Sequence, residues 1–347
     1  MRFFKYFVSI LLLLGIINVT YSVLKNSGNL DTINTQPIDS CKPVTVSAGT
    51  EDVTVDKETG IVFVSADDRR NGNSAGAAQN GIYAFNADDP STLKLVSIDG
   101  PSDLHPHGIS LWSGDDEKRL FVINHRTNGD QSIEIYSVAV KGTLSHIKSV
   151  MFEDMSAPND VHAVGPEAFY ITNDKGYKTG IMSILEAYLG LPFSSVAYYN
   201  GNEGRTVLSG LTYSNGINQS VDGKHIYVSE VLPRTIKVFA RNEDDGALEL
   251  LQVIDTNSSP DNIEVDDKGF LWVGGHPNLL DFLAHSKEQS TPSPSHVMKI
   301  DPITGGIEDV FYDGGESISA SSVGTMYKGK LIIGAVYDEH VLICNLR

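Results

Sequence analysis

The sequence predicts an all-β fold, a six-bladed β-propeller. Three observations carry this expectation. A hairpin pattern recurs six times at blade spacing, no strand–helix–strand rhythm competes with it, and two cysteines stand at opposite ends of the chain, where a ring has to close.

Taken in order, the chain opens with a basic and apolar leader, MRFFKYFVSILLLLGIINVTYS, in which Arg2 and Lys5 precede an apolar run from Phe7 to Val19. This is the pattern of a secretory signal peptide or a retained signal-anchor over residues 1–24, and the residues do not choose between the two. A linker over 25–40 leads to Cys41, where the propeller, 41–347, begins. The leader implies an oxidising compartment, facing the ER lumen or the exterior, so Cys41 and Cys344 are expected to be bonded and to lock the first blade to the last. The six copies read KETGIVFVSA, DEKRLFVINH, GPEAFYITND, DGKHIYVSE, DKGFLWVGG and YKGKLIIGAV, with strands beginning near Ile61, Leu120, Phe169, Ile226, Leu271 and Leu331. Most are followed by a second alternating strand such as GIYAFNA or TIKVFAR. A pair of β-sandwiches is the alternative, but sandwiches do not require so regular a spacing. The one helical pattern surrounds GIMSILEAYLGLPF. Over 182–193 it brings Met182, Leu185, Leu189 and Phe193 to one face, either as a lid over the axial opening, which would favour an alkyl tail or rest on lipid, or packed on the propeller.

Composition bounds the partners. With 347 residues, 41% hydrophobic and 20% charged, the chain is an ordinary folded one; 26 basic against 44 acidic residues leave a net charge of -18. That charge repels phosphate backbones, so nucleic acid is excluded as a partner. It suits metal cations.

Polar residues stand just before each repeated strand: Glu51 and Asp52 in TEDV, His107 in HPHGIS, Asn159 and Asp160 in PNDV, Asn215 in SNGIN, and Asp261 and Asn262 in PDNIEV. In a propeller, residues at one blade position approach the central axis together. Carboxylate and amide oxygens without cysteine form a hard-ligand set suited to Ca²⁺ and unsuited to zinc. Singly, each string also reads as an Asx-turn; the recurrence is what points to a site.

Across nearly the whole chain these strings resemble the paraoxonases, secreted calcium-dependent arylesterases and lactonases with a six-bladed propeller. The resemblance rests on HGIS at His107, VINH at His125, the run from Asn159 to Asp174, NGINQSVDGK, DNIEVD, LWVGGHPN and YKGKLIIG. It implies two Ca²⁺ ions in a central tunnel. The catalytic ion falls to Glu51, Asn159, Asn215, Asp261 and Asn262, and the structural ion to Asp52, Asp160 and the backbone carbonyl of Ile109. It also implies a histidine dyad of His107 and His125, a bond between Cys41 and Cys344, and a small lactone or ester as substrate. Two departures stand out. Gly275 occupies the place before HPN where the best-known members carry an unpaired cysteine. The loops from Asp67 and from Lys175 share little with the family, which leaves substrate choice open.

In the chemistry so implied, the calcium polarises the ester or lactone carbonyl while His107 takes a proton from water, with His125 behind it. The alternative gives the proton to Glu51 or to a metal-bound hydroxide. His105 is expected on the surface. His276 is expected either at the pocket rim or satisfied by backbone. Sequons occur at Asn18, Asn218 and Asn257; Asn257, in the polar TNSSP loop, is the expected glycan site. Two rival functions remain: a sugar-lactone hydrolase of the gluconolactonase type, and a non-catalytic secreted propeller whose calcium is structural.

Overall fold

The computed structural model describes residues 6, 7, 13–15, 17, 20, 21, 23–32, 35, 36, 38, 40–72, 74 and 77–346. Most of the predicted leader, including Asn18, lies outside the described residues. Among the described residues no helix is long and apolar enough to cross a membrane.

The described strands form six four-stranded antiparallel sheets. Numbered from the first complete sheet, the blades begin with innermost strands at Asp52–Val55, Pro106–Ser113, Pro158–Ala163, Ser214–Gln219, Ser259–Val265 and Ser321–Tyr327. The six strands read from sequence are the second strand of each blade. They are buried along almost their whole length, as in Phe169–Asn173 and Leu271–His276, because each blade packs on a neighbour through both faces. Six apolar clusters fill the spaces between successive blades. Phe121, Ile133, Val161 and Phe169 join blades 2 and 3, for example, and Val53, Val62, Val323 and Ile332 join blades 1 and 6.

Ring closure differs in detail from the expectation. Lys42–Thr45 is the outer strand of blade 6, paired with His340–Asn345 in the register Lys42 to Ile343. Cys41 and Cys344 are bonded, so the disulfide lies within the last blade, to which both chain ends contribute, instead of joining two blades. Described residues within 25–40 touch the propeller. Ser27 is buried, its carbonyl accepts the Leu279 N–H at 2.8 Å, Arg234 Nη1 meets Asp31 Oδ2 at 2.7 Å, and Gln36 bridges to Tyr312.

Among the described residues of the propeller, two helices sit in the loops. The first, α1, is Ile181–Leu189, close to the predicted segment but inverted in polarity: Ile181, Ile184 and Leu189 face solvent. Among its described side chains the buried one is Glu186, which accepts the Gly176 and Tyr177 N–H groups at 2.8 and 3.2 Å. Of the expected stripe, Leu185 and Leu189 are exposed while Met182 is half-buried, and Phe193 meets the Tyr177 ring edge-on at 5.6 Å. The second, α2, is Leu279–Lys287 and was not expected. Its start is legible in HPN, since Asn278 Oδ1 accepts Leu280 N–H at 2.9 Å as an N-cap.

Candidate metal centre and histidine pair

Four of the five polar strings that read as turns are β-bulges in the innermost strands; TEDV is not. Register shifts fall between Pro106 and Ile109, Pro158 and Val161, Ser214 and Ile217, and Pro260 and Ile263, at the same place in blades 2 to 5. A bulge opposes two residues to one and re-aims their side chains, which turns His107, Asn159 and Asp160, Asn215, and Asp261 and Asn262 out of the ladder. Glycine makes room for this crowding. A Cβ on Gly108 would lie 2.6 Å from Asp160 Cα, and one on Gly216 would lie 2.7 Å from Asn262 Cα. HGIS and NGIN thus each pair a glycine with the polar bulge of the next blade.

Glu51, Asn159, Asn215, Asp261 and Asn262 are all buried. Each presents one oxygen with no hydrogen-bond donor: Glu51 Oε2 and the Oδ1 atoms of the other four. The second polar atom is engaged in three of the five, Glu51, Asp261 and Asn262. Asn262 Nδ2 donates to Glu51 Oε1 at 3.1 Å, and His276 Nε2 meets Asp261 Oδ2 at 2.8 Å. Orphaned buried oxygens are costly, and five of them from two carboxylates and three neutral amides match the charge and hardness of one divalent, oxygen-preferring cation. Among the described residues no three His, Cys, Asp or Glu side chains gather at metal-binding spacing, because three of these five donors are asparagines. Burial raises the pKa of Asp261 against the pull of His276. Burial acts the same way on Glu51, but His107 when protonated, with Arg69 and Asn262, overcomes it and holds that carboxyl down at about 2.

Asp52 and Asp160 form a second layer and are differently satisfied. Asp52 Oδ2 accepts the Ile109 N–H at 2.7 Å, and Asp160 Oδ2 accepts the Ile217 N–H at 2.8 Å. Neither has an orphaned oxygen. What favours a cation here is charge: burial, then Asp160 and Glu51, push Asp52 well above the carboxylate range, and burial with Glu51 and Glu264 does the same to Asp160. Both border a cavity of about 410 Å³ on the side where the inner strands end, together with Ile109, His162 and Glu264. Sequence reading missed Glu264, although its place two residues after Asn262 on one strand was a usable signal.

His107 and His125 meet, Nδ1 to Nε2, at 2.7 Å. Their proton positions follow from a residue the sequence reading missed. Gln131 stands opposite His125 in the ladder of blade 2. Its Nε2 donates to the Gly129 carbonyl at 3.2 Å, so its Oε1 is the atom that meets His125 Nδ1. His125 therefore carries its proton on Nδ1 and accepts at Nε2 from His107 Nδ1–H, which leaves the Nε2 lone pair of His107 free, 3.4 Å from Glu51 Oε1. Burial drives His125 from 6.5 down to about 3, with His107 adding to the effect, so His125 stays neutral.

Three expectations are corrected or sharpened. His105 is half-buried, with Nδ1 2.8 Å from Asp67 Oδ1. His276 is neither a rim residue nor satisfied by backbone; it orients Asp261. Asn257 lies in an exposed loop where its Nδ2 donates to Asp309 Oδ1 at 3.0 Å.

Comparison with known proteins adds sequence relatives and fold neighbours. The arylesterase family model matches residues 81–346. Human serum paraoxonase/arylesterase 1 is 34% identical over 317 residues, 87% of each chain. A gluconolactonase from Xanthomonas campestris superposes with a TM-score of 0.58 over 92% of this chain and 99% of its own, at 16% identity. Regucalcin from Agrobacterium tumefaciens, described as a calcium-binding protein, gives a TM-score of 0.52 over 89% of this chain and 94% of its own, at 11% identity. At such identities the two structures share the fold.

Proposed function

The chain belongs to the paraoxonase/arylesterase family and is a carboxylic ester hydrolase, and from that premise we propose a calcium-dependent hydrolase of lactones and aryl esters that is secreted or faces the exterior. The observation that carries the proposal is the set of five buried oxygens without donors on Glu51, Asn159, Asn215, Asp261 and Asn262. These residues hold one Ca²⁺. Asp52, Asp160 and the Ile109 carbonyl hold a second, structural one. The calcium-binding description of regucalcin supports the choice of ion.

A Ca²⁺ ion bound by the five oxygens supplies Lewis-acid polarisation of the scissile carbonyl. His107 Nε2 takes a proton from the attacking water as the water oxygen bonds to the carbonyl carbon. The imidazolium so formed is stabilised at both nitrogens, by His125 Nε2 on one side and Glu51 Oε1 on the other. His107 then returns the proton to the departing oxygen as the carbon–oxygen ester bond breaks. A lactone holds its carbonyl and leaving oxygen in one ring and so loses less entropy on binding than an open-chain ester. Lactones are therefore the preferred class. Asn257 carries a glycan in this reading, and the solvent-facing stripe of α1 rests on lipid.

Hydrolysis of an aliphatic lactone, an aldonolactone and an aryl ester, each with and without EDTA, tests this. The aliphatic lactone should be turned over fastest and all activity should disappear on chelation. Turnover of the aldonolactone alone would favour the sugar-lactone reading, and no turnover of any would favour a binding propeller.

A further inference from the structure

Arg69 holds a permanent positive charge against a residue assigned to a divalent cation: its Nη2 lies 3.8 Å from Glu51 Oε2. That gap is an ion pair without a hydrogen bond, and the same oxygen is among the five that carry no donor. The other contacts of the guanidinium are neutral and long. Nη1 donates to the Gly49, Asp67 and Val336 carbonyls at 3.3, 3.3 and 3.4 Å, and Nη2 donates to the Pro106 carbonyl at 3.4 Å. All four exceed the usual N–H···O distance of about 2.9–3.0 Å.

The neighbouring acids are engaged elsewhere. Asp67 binds His105, and Asp68 accepts from Asn71 and Ala78. Among the described residues Glu51 is the one carboxylate within 4.0 Å of Arg69. The side chain is 18% exposed, it adjoins His107 through the Pro106 carbonyl, and its charge is felt at His125 and Tyr337. Arg70, by contrast, is committed: its Nη2 donates to the His285 carbonyl at 2.8 Å, and its guanidinium stacks on Tyr337 at 4.5 Å.

A cation beside a bound cation is repulsive unless an anion comes between them. Glu51 alone would lie between the two charges, and among the described residues no second carboxylate lies within 4.0 Å of Arg69, so the further anion has to come from the substrate. We propose that Arg69 is a specificity-determining residue that pairs with a carboxylate carried by the substrate, so that the favoured substrates are lactones or esters bearing a carboxylate within reach of the scissile carbonyl. This rests on the hydrolase reading above and deepens it. An arginine fork matches a carboxylate with two parallel hydrogen bonds, which a neutral isostere cannot reproduce.

The test uses the calcium-loaded protein and two γ-lactones that differ only in a side-chain carboxylate against a carboxamide. The wild type should prefer the carboxylate by about tenfold or more in kcat/KM, the scale of one charge-assisted pair. In Arg69→Met the preference should collapse through KM, and in Arg69→Lys it should survive in part. A wild type indifferent to the carboxylate, or preferring the carboxamide, overturns the proposal and needs no variant to be read. Arg69→Met lowering both lactones equally also overturns it, assigning Arg69 to the developing oxyanion instead. Failure to hydrolyse either lactone or any aryl ester would contradict the hydrolase reading itself, and a preference cannot then be claimed.

Discussion

The proton on His107 is placed by a side chain that does not touch it. Gln131 sets the tautomer of His125, and His125 sets that of His107. His107→Gln should cut lactone kcat about 10²–10⁴-fold, the usual worth of a positioned base, while calcium content measured by atomic emission stays at the wild-type value. Full activity of this variant across pH 6 to 9 would shift the base to Glu51. Gln131→Leu removes only the orienting acceptor and should lower kcat by less with KM nearly unchanged; an unaltered kcat would remove Gln131 from the relay. His125 gives a separate stability signature. Its pKa lies at about 3 in the fold against 6.5 ordinarily, so between those values the unfolded chain binds the extra proton. The stability that neutral His125 contributes is complete above about pH 6.5 and lost as pH falls toward 3. His125→Gln should flatten the acid limb of denaturant-measured stability by about one proton; an identical slope would show that His125 is not buried neutral.

At the scale of strands, the proposed ligand residues of blades 2 to 5 leave the ladder because the inner strands bulge in register and glycines let the bulges interlock. Gly216→Ala should cost about 1–3 kcal/mol as an overpacked site and weaken calcium binding, since the added methyl meets the Asp261 carbonyl at 2.5 Å. Unchanged melting with unchanged calcium affinity would contradict this crowding. The strings at these positions were legible as a recurring set but not as bulges, because Pro-Asp-Asn and Asn-Gly are also turn text and single sequences do not reveal register. The second strands were legible because burial on both faces leaves continuous β-branched and aromatic runs. Helix α2 was not, since Leu279–Lys287 is short and mixed in polarity, and α1 was found with its polarity reversed because a carboxylate, Glu186, is its anchor. Gln131 gave no signal at all: its role depends on a cross-strand pairing.

For the whole molecule, closure is the governing feature. The disulfide spans a sequence separation of 303, so the chain-entropy contribution is on the order of 5 kcal/mol. Cys41→Ser with Cys344→Ser should therefore lower Tm markedly while the folded protein keeps its kcat, because the bond lies in the outer part of blade 6, away from the site; an unchanged Tm would show that strand pairing alone closes the ring. Cation binding should stabilise the same ring from its axis. The central claim, that five orphaned oxygens hold the catalytic ion, is tested most directly by anomalous scattering from crystals saturated with calcium. The account predicts a calcium peak within about 2.3–2.6 Å of Glu51 Oε2 and of Oδ1 of Asn159, Asn215, Asp261 and Asn262. Calcium-saturated crystals showing only water among those five atoms would contradict it.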